Sequence, residues 1–286
     1  MKIKKYKLGN FTISINSQAY FNDELPYSLF EFNGEQTDYN INVKFSSELP
    51  KEIKNPFYAS RDRVYDYKDG VLRCFYKSSD TEDEYYAYRI VDGKNIIIVI
   101  NEEYREMLRE DVIFSLIGIE EIAAGENACI LHSSFIEYNG GAVLFTGPCS
   151  IGKSTQANLW NKYANAIVIN GDKTMIYKNN GLYCASGIPF SGSSKDCLNK
   201  VLPLKAIINL GQADFNSLNR VVSTDAFYKV YKNCYPIPFS RELTGMLFDL
   251  VQELSQCVPV YNFACLADES AVRCLESELC QIFQSH

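Results

Sequence analysis

Between Gly147 and Ser154 the chain reads Gly-Pro-Cys-Ser-Ile-Gly-Lys-Ser, preceded by an apolar run at 142–146 and followed by a helix-compatible stretch at 155–163. The pattern G-x-x-x-x-G-K-[ST] between a strand and a helix admits few folds. Its loop must curl tightly enough for successive backbone N–H groups to converge on one anion, hence the recurring glycine. The helix that follows points its positive end at the same spot. The pattern predicts a nucleotide-binding loop over Gly147, Pro148, Cys149, Ser150, Ile151, Gly152, Lys153, Ser154 and Thr155. In such a loop Lys153 would reach the β- and γ-phosphates of ATP or another nucleoside triphosphate, and the Ser154 hydroxyl would ligate Mg2+.

The surrounding sequence alternates strands and helices. Residues 129–131 and 142–146 read as buried strands joined through the turn Asn139-Gly140-Gly141. Further strands are expected at 166–169, 174–177, 182–185 and 204–210, with Asn179-Asn180-Gly181 turning a hairpin. Residues 239–256 and 268–283 read as helices, with 258–263 extended between them; Val272, Leu275, Leu279, Ile282 and Phe283 mark one face of the last helix.

Residues 1–100 differ in kind. The segments 11–15, 39–45, 71–76 and 85–91 are aromatic and β-branched strands, and Gly70 and Asp92-Gly93 stand at turns. From Arg105 to Ala124 apolar residues recur at helical spacing, predicting one helix stopped by Gly125. Two domains are therefore expected. Residues 1–127 form a smaller β-rich α+β domain, acidic and tyrosine-rich, ending in a helix, and residues 128–286 form an α/β domain that carries the loop on a mixed sheet with helices.

Charge sharpens the division. The chain holds 28 Lys and Arg against 35 Asp and Glu, and the whole net charge of −7 falls in residues 1–127; the remainder is balanced. Nucleic acid and anionic membranes select basic surfaces, so neither is an expected partner. The apolar runs at 96–100 and 117–119 are far too short for a bilayer span. The basic start (Lys2, Lys4, Lys5, Lys7) leads into no apolar signal core, and a soluble, cytoplasmic protein is expected. Nine of the ten cysteines lie from Cys129 onward without a C-x-x-C pair, and the only histidines are His132 and His286. That pattern predicts thiols used as small buried hydrophobes rather than a zinc site. The acidic run at 80–84, beside Tyr85, Tyr86 and Tyr88, is where a basic peptide or partner protein would dock.

A resemblance becomes specific in the second half. Leu131-His132, Tyr138-Asn139-Gly140-Gly141-Ala142-Val143-Leu144, the Gly147–Ser154 loop and Gln156-Ala157-Asn158-Leu159-Trp160 resemble the catalytic domain of HPr kinase/phosphorylase. The match is closer to the HPr-kinase-like proteins of the phosphoenolpyruvate carboxykinase-type P-loop fold. Asn170-Gly171-Asp172, Gly187-Ile188-Pro189-Phe190-Ser191-Gly192, Pro203-Leu204-Lys205-Ala206-Ile207 and Val258-Pro259-Val260-Tyr261 extend it over about residues 128–280.

The resemblance implies transfer of a γ-phosphate to a hydroxyl on a peptide, a protein Ser/Thr or a small molecule. It places Asp172 by the phosphates as base or metal partner, His132 nearby, and Ser191 and Gly192 against the acceptor. Relatives of the HPr type assemble, so a homo-oligomer is compatible with it. Taken alone, Asp172 is equally a turn aspartate, and His132 is more often a hydrogen-bonded core residue.

Two departures matter. Relatives carry Ser-Gly where this chain has Cys149-Ser150, and a serine is costly wherever the backbone needs positive φ. True HPr kinase/phosphorylases have paired aspartates in place of Gly171-Asp172 and an acidic residue in place of Thr155, which points to an acceptor other than HPr. A non-catalytic nucleotide-binding module that docks a partner is the alternative. A GTPase is disfavoured because no N-K-x-D follows the loop. A nucleoside-monophosphate kinase is disfavoured because only Arg220, Arg241 and Arg273 follow it.

Overall fold

The computed structural model describes residues 2–17, 25–77, 84–192 and 196–284, which form two compact units. One comprises Met1–Lys7 and Phe11–Ile119, the other Leu8–Asn10 and Glu120–His286.

The first unit is built on eight strands: β1 (Lys2–Leu8), β2 (Phe11–Ser17), β3 (Tyr39–Ser46), β4 (Tyr58–Ala59), β5 (Arg63–Lys68), β6 (Val71–Lys77), β7 (Tyr85–Asp92) and β8 (Asn95–Asn101). They lie in the order β1-β2-β3-β8-β7-β6-β5-β4. The hairpins at Asp69-Gly70 and Gly93 follow the turn chemistry, since all three residues have positive φ. The parallel pairings of β2 with β3 and β3 with β8 have no such local signature. Ile96, Ile98 and Ile100 alternate into the core beside Ile41 and Val43.

The single helix expected over 105–124 is instead broken. A 3-10 turn at Glu102–Met107 precedes α1 (Glu110–Ile117), and α2 (Ile119–Gly125) follows. Gly118 caps α1 in the left-handed region at φ 77, where a Cβ would lie 1.6 Å from Nη1 of the fully buried Arg89. That guanidinium donates to the Ile117 carbonyl, so a cation satisfies the helix's carboxyl end just where the chain must turn. Apolar periodicity persisted through a break that only Gly118 betrayed. The acidic run at 80–84 falls, except for Glu84, outside the described residues.

The second unit continues with β9 (Ala128–Tyr138), β10 (Gly141–Thr146), α3 (Lys153–Ala164), β11 (Ile167–Asn170), β12 (Lys173–Asn179), β13 (Leu182–Ser186), β14 (Val201–Gln212), β15 (Ser217–Val221), α4 (Ser223–Tyr231), α5 (Arg241–Cys257), β16 (Val260–Cys265) and α6 (Glu269–Gln284). Its sheet is mixed: β10, β14 and β16 are parallel, and their other partners are antiparallel. Because β10 pairs with both β9 and β14, the strands β9, β12, β13, β14 and β10 form a closed circuit.

Helices cover both faces. Leu144, Ile207 and Val260 pack with Val230, Leu247, Leu250, Val251 and Leu254 of α4 and α5. Val143, Phe145, Ile208 and Phe263 pack with Ala157, Trp160, Val272, Leu275 and Leu279 of α3 and α6. Period two on the strands divides the apolar residues between these cores. The ten cysteines form no disulfide; Cys74, Cys129, Cys197, Cys234 and Cys265 are buried, while Cys149 and Cys257 are exposed. No helix among the described residues is long and apolar enough to cross a membrane.

Candidate active site

The loop after β10 closes at the carboxyl end of that strand and delivers Lys153 as the first residue of α3. Gly147 has φ 142 and Gly152 φ 109, conformations open only to glycine without strain. A Cβ on Gly147 would approach Ile151 Cγ2 at 3.2 Å and the Leu210 carbonyl at 3.4 Å, whereas one on Gly152 would meet nothing within 4 Å. The Lys153 ammonium is buried in the curl and donates to the carbonyls of Gly147 (3.1 Å) and Pro148 (3.0 Å). Burial pulls its pKa below the ordinary lysine value, opposed by Cys149 and the Asp172 carboxylate. Pro148, Cys149, Ser150, Ser154 and Thr155 are exposed.

Ser150 has a positive φ of 62. The serine therefore holds a left-handed conformation that costs an L-residue about 1–2 kcal/mol. Ser150→Gly is expected to raise the unit's stability by a net ~0.5–1 kcal/mol, after allowing for the greater unfolded-chain entropy of glycine. Chemical denaturation measures it, and a loss of stability would mean that the hydroxyl compensates the strain.

Asp172 reaches the loop from the turn between β11 and β12. Asn170, fully buried at the end of β11, forms that turn: its Oδ1 accepts from the N–H of Asp172 (2.9 Å) and Lys173 (3.0 Å). Its Nδ2 donates to the carbonyls of Ile188 (2.8 Å) and Phe190 (3.0 Å). One amide thus fastens the aspartate turn to the 187–192 loop. That loop brings Gly192 so close that a Cβ on it would lie 2.9 Å from Asp172 Cγ; Ser191 beside it is buried. Ser154 Oγ donates to the Gly171 carbonyl at 3.3 Å, tying α3 to the same turn.

His132 sits where β9 passes from its pairing with β12 to its pairing with β10. Its Nδ1 lies 3.1 Å from the Asp172 carbonyl and 3.3 Å from Asp172 Oδ1. Burial first, and then the Lys153 charge, lower its pKa; Asp172 opposes them. The ring is therefore held toward its neutral form; its hydrogen bond goes to the Asp172 backbone carbonyl, with the carboxyl oxygen a close neighbour at 3.3 Å. The Asp172 backbone carbonyl can only accept, which assigns the ring hydrogen to Nδ1 and the lone pair to Nε2. A neutral imidazole suits proton relay better than charge neutralisation.

The loop, Lys153, Ser154, Asp172, His132 and Gly192 thus converge on one locality. Three further residues there carry no role assigned from the sequence, although Asn170 stands in the Asn170-Gly171-Asp172 run. Asn170 reads as part of a turn. Lys173 holds its ammonium 5.3 Å from the Phe190 ring and 4.8 Å from the Tyr235 ring, and Tyr235 follows α4, remote in sequence. Among the described residues no group of three or more His, Cys, Asp or Glu side chains could hold a metal ion.

No protein-family model matches the chain, and no curated protein matches it. Solved structures do match; one is the HPr(Ser) kinase/phosphatase from Coxiella burnetii, at 15% identity and a TM-score of 0.32, covering 55% of this chain and 96% of that one.

Proposed function

We propose that this chain is an HPr-kinase-like phosphotransferase that moves the γ-phosphate of ATP, or of another nucleoside triphosphate, to a hydroxyl on a peptide, protein or small molecule. One observation carries the reading: a carboxylate, a neutral imidazole and a buried ammonium meet beside a glycine loop at the start of a helix. The backbone N–H groups of 147–155 and the Lys153 ammonium hold the phosphates. Ser154 and Asp172 are an all-oxygen donor pair of the sparse kind Mg2+ uses when phosphates and water complete its shell. The metal ion supplies charge neutralisation on the phosphates. Asp172 orients the acceptor hydroxyl and takes its proton as the oxygen–phosphorus bond forms and the bond to the departing nucleoside diphosphate breaks. His132, donating through Nδ1 to the Asp172 backbone carbonyl, steadies the turn that carries the aspartate and offers Nε2 as the next proton station. Ser191 and Gly192 border the acceptor.

The strain at Ser150 favours a second reading, a nucleotide-binding module without turnover. Transfer from γ-labelled ATP to lysate proteins and metabolites separates the two. Asp172→Asn is expected to cut labelling by about a hundredfold or more, the usual range for loss of a general base, with ATP affinity changed only slightly. Undiminished labelling by Asp172→Asn would exclude Asp172 as the base. Tight ATP binding by the wild type with no labelled product would favour the module.

A further inference from the structure

We infer that a shelf beside the loop, made by Asn209, Asn262, Gly211 and Ala264, receives the nucleobase. This rests on the reading of Gly147–Ser154 as a phosphate loop. Thr146, the last residue of β10, pairs with Asn209 on β14, which pairs with Asn262 on β16, which pairs with Asn219 on β15. Four polar side chains therefore stand in one row across four strands, on the face that carries Leu144, Ile207 and Val260.

Asn209 is only 9% exposed, and its Nδ2 donates to Asn262 Oδ1 at 3.2 Å. Its own Oδ1 is buried without a partner. Turning either amide changes which end is left over but still leaves one. A buried amide end with no partner costs about 1–3 kcal/mol, so its retention calls for a ligand.

The next row outward on the same face is Gly211, Ala264 and Ser217. A Cβ on Gly211 would meet only Ala264 Cα, at 3.9 Å, so open space lies directly beside the Asn209 amide. A flat ring can rest there against bare backbone while carboxamides bond its edge, as asparagine does with adenine. The shelf adjoins the loop along the backbone, because Thr146, which pairs with Asn209, leads straight into Gly147, whose Cβ position abuts the Leu210 backbone between Asn209 and Gly211.

Asp172 and His132 lie on the opposite flank of β10, toward β9 and β12. A triphosphate with its γ end at Asp172 would carry its nucleoside toward β14 and β16. Two strand spacings, about 10 Å, separate Thr146 from Asn262, within reach of a nucleotide. The acceptor belongs with Asp172, which leaves the shelf to the base.

Calorimetric titration of Mg-ATP and of inorganic tripolyphosphate into wild type, Gly211→Val and Asn209→Ala tests this. Valine suits a strand and fills the shelf without touching the loop. Wild type is expected to bind ATP at least about tenfold tighter than tripolyphosphate. Gly211→Val should erase that advantage, and Asn209→Ala should reduce it by about three- to tenfold, as loss of one hydrogen bond does. Tripolyphosphate affinity should be unchanged in both variants. Equal wild-type affinities, or an ATP advantage that survives both variants, would overturn the inference and leave the loop reading standing. Wild type that binds neither ligand would overturn the loop reading, and the shelf with it.

Discussion

Lys153→Ala is expected to weaken ATP binding by more than about a hundredfold while thermal stability holds or rises. Hydrogen bonds from a charged donor contribute about 1.5–3 kcal/mol each, and two of them to phosphate oxygens account for that factor. The stability expectation comes from the opposite side of the same physics. The ammonium is buried, and burial is the leading cause of its lowered pKa, so the folded unit carries a charge it would hold more easily in water. Between the folded-state pKa and the ordinary value of 10.5, the unfolded chain binds the proton that the folded chain has released. Stability therefore gains as pH rises through that window, and the gain should vanish in the alanine variant. ATP titration with thermal melts at neutral and alkaline pH reads both quantities. A variant that binds ATP normally and melts far earlier would make Lys153 a tie across its own loop, through Gly147 and Pro148, and nothing more.

The largest stability loss is expected at Trp160, through about 3–5 kcal/mol for Trp160→Ala. This residue of α3 is fully buried, edge-on to Tyr138 with ring centres 5.0 Å apart and 6.3 Å from Phe145. A domain is stable by only about 5–15 kcal/mol, so the variant would sit near its unfolding threshold. Trp160→Phe should cost less than half as much. The indole Nε1 is buried without a partner, so phenylalanine keeps much of the ring packing and removes a donor that bonds nothing. Urea unfolding distinguishes the pair, and a Trp160→Ala variant within about 1 kcal/mol of wild type would show that α3 is held by other contacts.

What the sequence made legible followed from local chemistry. Strand, loop and helix around Lys153 could be read because glycine positions, helix polarity and apolar runs each act within a few residues. The helices α5 and α6 and the hairpin of β12 and β13 declared themselves by period and turn type. β15 and α4 did not: Ser-Leu-Asn-Arg-Val is too polar for a strand signal, and Ser223–Tyr231 is short and follows it directly. The parallel pairing of β3 with β8 joins segments more than 50 residues apart, a distance over which no turn residue can speak. The candidate site divides the same way. Lys153 and Asp172 stood in motifs, and Asn170 stood in the same run as Asp172 with no role assigned; Lys173 and Tyr235 acquire their places only once β9, β12 and the 187–192 loop are assembled.

The closed circuit of β9, β12, β13, β14 and β10 sets a condition on that assembly. A strand at the rim of an open sheet can peel away by itself, but each strand here leaves only by breaking two ladders at once. His132 rides on β9, the glycine loop on β10, Lys173 on β12 and Asn209 on β14. The site therefore has no half-built form, and fraying that loosens an exposed end leaves its geometry alone until the ring itself opens, when all of it is lost together.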